Sequence, residues 1–218
     1  MSGHREFLQK VEHGLWKVFD DAEALPARED SRAFGAMIES RIRSSWKSLC
    51  SEAGAKTAPD SGRRAIYDVA LEYDGKFFGF DIKTKDLDNE RYSDGGVCSV
   101  HNLLRFLANS KGIFVVVEFS HRKAPSDRGR RRLEHICVVP FHVLPKETYR
   151  IENLGTGQLR LEHGIFSIYD NIEWGRSIFD FFDFFTEKAV EHYEKVGRDA
   201  AGRAAGMKRF RENGYIKF

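Results

Sequence analysis

Asp68, Asp81 and Lys83 lie in the segment RRAIYDVALEYDGKFFGFDIKTKD, the two acids thirteen positions apart and the second acid separated from the lysine only by Ile82. Carboxylates set inside apolar strands are costly unless paired or metal-bound, because burial strips water from the ion. Side by side they also repel, so a divalent cation is the natural third party. Mg²⁺ prefers oxygen ligands, takes few protein carboxylates and keeps waters, which leaves room for a phosphate oxygen. Water on such a cation loses a proton more readily and becomes a nucleophile. A lysine beside it can orient or deprotonate that water and stabilise the transition state. These residue types suit phosphodiester hydrolysis, with Asp68, Asp81 and the Ile82 carbonyl as metal ligands and Lys83 at the water.

The chemistry requires a hairpin. Residues 65–73 and 77–83 are rich in β-branched and aromatic residues, and Asp74-Gly75 between them is a favoured turn pair. Side chains alternate across a strand, so Gly79, Asp81 and Lys83 share one face while Phe78, Phe80 and Ile82 take the other. Asp68 on the neighbouring strand can approach Asp81. The competing reading is that Asp81 and Lys83 form a weak exposed pair on the wet face of a surface hairpin.

Upstream, Ser31 can cap a helix whose Phe34, Met37, Ile38, Ile42, Trp46 and Leu49 form an apolar stripe at helical spacing. Glu39 lies at the edge of that stripe, either as a solvated helix glutamate or within reach of the metal site. Before it, Phe7, Val11, Leu15, Val18 and Phe19 fit a first amphipathic helix, ended by the ALPARED run around Pro26. Downstream, residues 85–96 read as a polar loop. Val100, Leu103, Leu104 and Leu107 then repeat at helical spacing, and IFVVVEF (113–119) reads as a buried central strand.

After a basic loop, HRKAPSDRGRRR (121–132), residues 136–139 should return as a strand, and two short strands should flank 155–157. Ser177 is placed to cap a long helix with Ile178, Phe181, Phe182, Phe185, Ala189 and Tyr193 on one apolar face. Phe179 and Phe184 remain for a second surface, buried within the same core or in a dimer interface. The tail from Gly197 either extends this helix or is partly disordered. This element order predicts an α/β (α+β) fold with a central mixed sheet flanked by helices.

Asp68, Asp81 and Lys83 in this setting resemble the PD-(D/E)xK nuclease superfamily, which includes most type II restriction endonucleases. Tyr67 stands where that pattern usually has proline. A literal Pro59-Asp60 pair occurs upstream, in the polar run KTAPDSGRR, and reads as a loop decoy. The resemblance implies a restriction-endonuclease-like core, Mg²⁺ with Mn²⁺ as a substitute, and a helix glutamate before the motif, a place that Glu39 matches. Over residues 31–196 the chain is similar to type II enzymes of the SwaI kind. That likeness implies a homodimer cutting double-stranded DNA at a specific palindrome, with a companion DNA methyltransferase in the same system but no stable complex with it.

In such enzymes loops beside the active site touch phosphates and base edges. For base reading the candidates are Asn89, Arg91, Tyr92 and Ser93, together with Ser99, His101 and Asn102 at a helix start. For phosphate contacts they are Arg63, Arg64, Lys85, Arg122, Lys123, Arg128 and Arg130, any of which can equally be a solvated surface cation.

Composition narrows the alternatives. With 218 residues, 41% of them hydrophobic, the chain can bury a full core as one domain, residues 1–218, in which 1–30 hold the first helix and 197–218 a basic tail. The formal net charge is only +2, yet the basic residues cluster at 63–64, at 121–132 and after 198. Cys50, Cys98 and Cys137 are isolated, without metal-ligand spacing, and suit a reducing cytoplasm. The eight histidines show no HExxH pattern. No signal-peptide apolar run opens the chain, and no segment approaches a membrane span. Three rival readings remain: a repair or transposition nuclease of the same fold, a non-catalytic nucleic-acid-binding module, and a two-carboxylate glycosidase, which would leave Lys83 and the basic clusters without a role.

Overall fold

The structure, a computed structural model, describes residues 2–19, 25–26, 31–59, 65–89, 96–110, 112–124, 127–152 and 157–212. Helix α1 (Ser2–Phe19) buries Phe7, Leu8, Val11, Leu15 and Phe19, one stripe at helical spacing. The two-residue strand β1 (Leu25–Pro26) follows, then α2 (Ser31–Glu52), which buries Phe34, Ile38, Ile42, Trp46 and Leu49. Strand β2 (Lys56–Thr57) leads to the hairpin β3 (Val69–Tyr73) and β4 (Lys76–Asp86). Asp74 and Gly75 both have positive φ, 49° and 68°, as the tight primed hairpin turn requires, which is why this turn carries an Asp-Gly pair.

Next come β5 (Gly96–Ser99), α3 (Val100–Ser110), and the long strands β6 (Ile113–Ala124) and β7 (Asp127–Pro140). Three 3₁₀ turns (Phe141–Val143, Lys146–Thr148 and Phe166–Asn171), strands β8 (Tyr149–Glu152) and β9 (Gln158–Leu161), and helix α4 (Ile178–Glu212) complete the order. Ser177 closes a capping box at the start of α4. Its Oγ accepts the Asp180 N–H at 3.0 Å and donates to the Asp180 carboxylate at 2.6 Å.

The main sheet has six strands in the order β1-β7-β6-β4-β3-β2 and is mixed: β4 and β6 run parallel, the other neighbours antiparallel. A parallel pair needs a crossover, and the chain between β4 and β6 includes α3. One face, with Phe78, Phe80, Val115 and Val117, packs on α1 and α2. The other, with Phe114, Val116, Cys137 and Val139, packs on α3, on the first turns of α4 and on a small sheet of order β5-β9-β8. The two cores are therefore the two pleats of one sheet. Cys50, Cys98 and Cys137 are free and buried.

Four expectations change. The basic stretch 121–132 is not a loop: its register with β6 runs on from Ile136 to Arg131, so most of it is a β-ribbon extending the central strands. The first strand of the hairpin begins at Val69 rather than at 65, because the chain bends away at 66–68. Strand β4 is longer than expected and reaches Asp86, inside the stretch read as a polar loop. Helix α4 extends through most of the basic tail to Glu212, one of the two alternatives expected there, and the change lies in its apolar face, of which only Phe181, Phe185 and Ala189 are fully buried, while Phe179 is exposed. No helix among the described residues is long and apolar enough to cross a membrane.

Candidate active site

The hairpin ladder aligns Val69 with Phe80, and the Asp68 N–H still donates to the Phe80 carbonyl at 2.8 Å. One step further the pairing changes character. Instead of a backbone carbonyl, the Asp68 carboxylate itself accepts the Ile82 N–H at 2.7 Å. The chain before Asp68 peels off because Tyr67 folds over Gly79: a Cβ on Gly79 would lie only 2.8 Å from the Tyr67 ring. That ring also packs edge-on against Phe77 and Phe106. Tyr67 thus holds the backbone bend that aims Asp68 across the strand end, at the position where the resembling pattern has a rigid proline.

Asp81 is 5% exposed and its pairing with Val116 places it on the pleat facing the second core. Its Oδ1 accepts Lys83 Nζ at 2.8 Å, while Oδ2 is buried without a hydrogen-bond partner among the described residues. With the Asp81 side chain 7% and the Lys83 side chain 26% exposed, the pair does not sit on the wet face of a surface hairpin. Burial pushes the Asp81 carboxyl up to about 7; Lys83 opposes that shift, and the negative charges of Asp68 and Glu39 add to it. Asp68 is shifted upward too, mainly by burial and further by Glu39, against the pull of the Ile82 N–H, Lys83 and Arg43. Three acids are therefore close enough to feel one another at the end of the β3–β4 hairpin.

Glu39 reaches this zone from α2, but its carboxylate is held by Arg43, one helical turn on, at 2.8 and 2.9 Å. No group of three His, Cys, Asp or Glu side chains able to hold a metal ion occurs among the described residues. The residues that could hold a cation here are two carboxylates, Asp68 and Asp81, the first of which accepts the Ile82 N–H. The orphaned Asp81 Oδ2 is the atom that a cation would satisfy, and Mg²⁺ commonly takes one or two carboxylates and completes its shell with water.

Two residues were missed from sequence. Arg43 lowers the Asp68 pKa and lines a cavity of about 240 Å³ with Trp46, Pro59, Tyr67 and Asp68. Its signal was the (i, i+4) spacing from Glu39. Glu118 is 4% exposed on β6, in register with Lys83. Its carboxylate accepts the Ile165 N–H at 2.9 Å, the Phe166 N–H at 3.4 Å and the Ser120 hydroxyl at 3.0 Å. A lone acid inside IFVVVEF was its signal.

The proposed DNA contacts scatter. Lys85 follows Lys83 on the same pleat and pulls down the Glu118 pKa. Asn89 sits in the turn after β4, its N–H on the Asp86 carbonyl. Arg122, Lys123 and Arg130 lie on the β6–β7 ribbon; Arg122 and the Lys123 N–H both address the Asp88 carboxylate, at 3.4 and 2.7 Å. Ser99 has a structural task, since its Oγ caps α3 by accepting the Asn102 N–H at 3.2 Å. His101 and Asn102 are exposed on the first turn of α3. Arg63, Arg64, Arg91, Tyr92, Ser93 and the Arg128 side chain lie outside the described residues, as does Asp60 of the decoy pair.

No protein-family model matches the chain, and no curated protein sequence matches it.

Proposed function

We propose that the chain is a Mg²⁺-dependent endonuclease that hydrolyses phosphodiester bonds of double-stranded DNA, with a restriction-endonuclease-like core and, as the resemblance implies, action as a homodimer on a specific palindrome. The supporting observation is Asp81 itself: a buried carboxylate with one oxygen held by Lys83 and the other left without a partner among the described residues. Most buried side-chain polar atoms have a partner, so a spare carboxylate oxygen favours a place for a ligand. Mg²⁺ bound there would offset charge developing on the phosphate and acidify a coordinated water.

The chain's own residues divide the remaining work. Asp68 is oriented by the Ile82 N–H and Asp81 by Lys83, so both carboxylates are pre-positioned before substrate arrives. Lys83 Nζ, a cation held on Asp81, can orient the attacking water and offset charge on the phosphate as the new P–O bond forms and the bond to the leaving sugar oxygen breaks, the water's proton passing to solvent. Arg43 restrains Glu39 and tempers the negative charge around Asp68. Phosphate contacts from Lys85 and the basic ribbon would add a salt-dependent, sequence-independent share of affinity.

The deciding experiment incubates purified protein with plasmid DNA and Mg²⁺, with and without EDTA, beside the Lys83→Ala variant. Discrete fragments that vanish with EDTA and with Lys83→Ala are expected. Cleavage by the variant at the wild-type rate would remove this assignment. A gel shift that survives EDTA without any cleavage would favour a binding module, and nicking confined to mismatches or ends a repair enzyme.

A further inference from the structure

At the start of β4, a cavity of about 310 Å³ opens between α1, the starts of β4 and β6, and the start of α4; its walls include His4, Arg5, Lys76, His142, Trp174 and Phe179. Lys76 and Asp81 are five residues apart on one strand, or about 17 Å at the usual rise. The volume is at the small end of ordinary ligand pockets, roughly 300–1,000 Å³.

Several polar groups converge on it. His142 is 6% exposed, lines the cavity, and has its carbonyl taken by Arg176. Burial, with Arg176 and His4 nearby, pushes its pKa down to about 4, so near neutral pH the ring is uncharged and offers one donor and one acceptor. The Arg5 guanidinium lies 4.7 Å over the Trp174 ring, and Lys76 is exposed at the rim. The wall also includes Ile178 and Phe179, whose amides, in the first turn of α4, cannot be taken by carbonyls of the helix and mark its positive end. The one acid of that turn, Asp180, is folded back onto the Ser177 N–H and hydroxyl. Phe179, 82% exposed, presents an aromatic ring with no cover.

We propose that this cavity binds a small ligand in which an anionic group is joined to a flat aromatic body. The anion sits among Arg5, Lys76 and the first turn of α4, the ring rests against Trp174 and Phe179, and His142 hydrogen-bonds the edge of the ligand. A nucleoside monophosphate and an aromatic carboxylate share this chemistry. None of these residues belongs to the strand-end site, so the proposal stands or falls independently of DNA cleavage.

The test follows Trp fluorescence of the full chain in EDTA during titration with dAMP and with benzoate, and with their uncharged counterparts deoxyadenosine and benzamide. One anionic probe should give a saturable change with Kd below about 1 mM. Preference for dAMP or for benzoate identifies the source of the anion. Trp174→Phe should abolish the signal. Arg5→Gln combined with Lys76→Gln, both at exposed positions, should weaken binding by about tenfold or more. Three results would overturn the proposal: equal affinity for the uncharged probes; no saturation by either anion, in fluorescence and in ligand-observed NMR, up to about 10 mM; or weakening by Asp81→Asn as large as that from the Arg5 and Lys76 changes, which would place the ligand at the strand end.

Discussion

Asp81 and Glu118 are carboxylates on adjacent strands of one sheet, 5% and 4% exposed, both shifted upward by burial, and they are treated in opposite ways. Glu118 receives two backbone N–H groups and a hydroxyl, and so ties the 3₁₀ turn at Phe166–Asn171 to β6. Asp81 receives one lysine, and its second oxygen has no partner among the described residues. The difference separates an acid that holds the fold from one that the proposed function assigns to a ligand, because a satisfied buried carboxylate stabilises its surroundings while an unsatisfied one costs free energy.

Exchanging the two acids' fates is the sharpest way to break this contrast. Asp81→Asn should lower Mg²⁺-dependent cleavage by about 10²–10⁴-fold, the usual range for losing a positioned catalytic group, while its urea midpoint stays equal to or above that of wild type. Comparable cleavage by Asp81→Asn and wild type would end the contrast from the catalytic side. Glu118→Ala should do the reverse to stability, costing roughly 3 kcal/mol in urea unfolding, since two amides and a hydroxyl lose their acceptor. A fully stable Glu118→Ala protein would show that the latch contributes nothing.

Stability against pH sharpens the same point. The folded pKa of Asp81, about 7, lies above its ordinary value of 3.8, so between those values the folded chain binds more protons than the unfolded one and stability falls as pH rises, levelling off beyond about pH 7. In metal-free buffer, unfolding midpoints should therefore drop from pH 5 to pH 8. Asp81→Asn should flatten part of that slope, leaving the share from Glu118 and Asp68, which are also shifted upward. Mg²⁺ should raise the midpoint more at pH 8 than at pH 5, because it needs the ionised acid. An unchanged slope in Asp81→Asn would contradict the shift.

The smallest expected effect concerns the bend. Gly79→Ala places a methyl 2.8 Å from the Tyr67 ring, which should cost about 1–3 kcal/mol of stability and slow cleavage by displacing Asp68. Unaltered stability and rate would show that Tyr67 yields freely.

Much of the molecule was legible along the chain. The stripes of α1, α2 and α3, the Asp-Gly turn, the central strand at 113 and the Ser177 cap follow from local spacing and turn chemistry, and each is present. The basic ribbon misled because Arg, Lys and Gly resemble a loop when read alone; pairing across β6 and β7 supplies partners that their local preference does not reveal. Strand alternation gave the shared pleat of Asp81 and Lys83 but not the depth at which they lie.

What the residues alone determined is the chemical kit: two acids and a lysine at a strand spacing that suits a cation and a phosphate. Only tertiary packing decided which acid has an oxygen without a partner among the described residues, that Glu39 is drawn onto Arg43, and that Tyr67 wedges against Gly79. The reason is physical. Spacing along a chain sets which side chains can share a face, whereas burial and hydrogen-bond satisfaction depend on neighbours that arrive from distant segments.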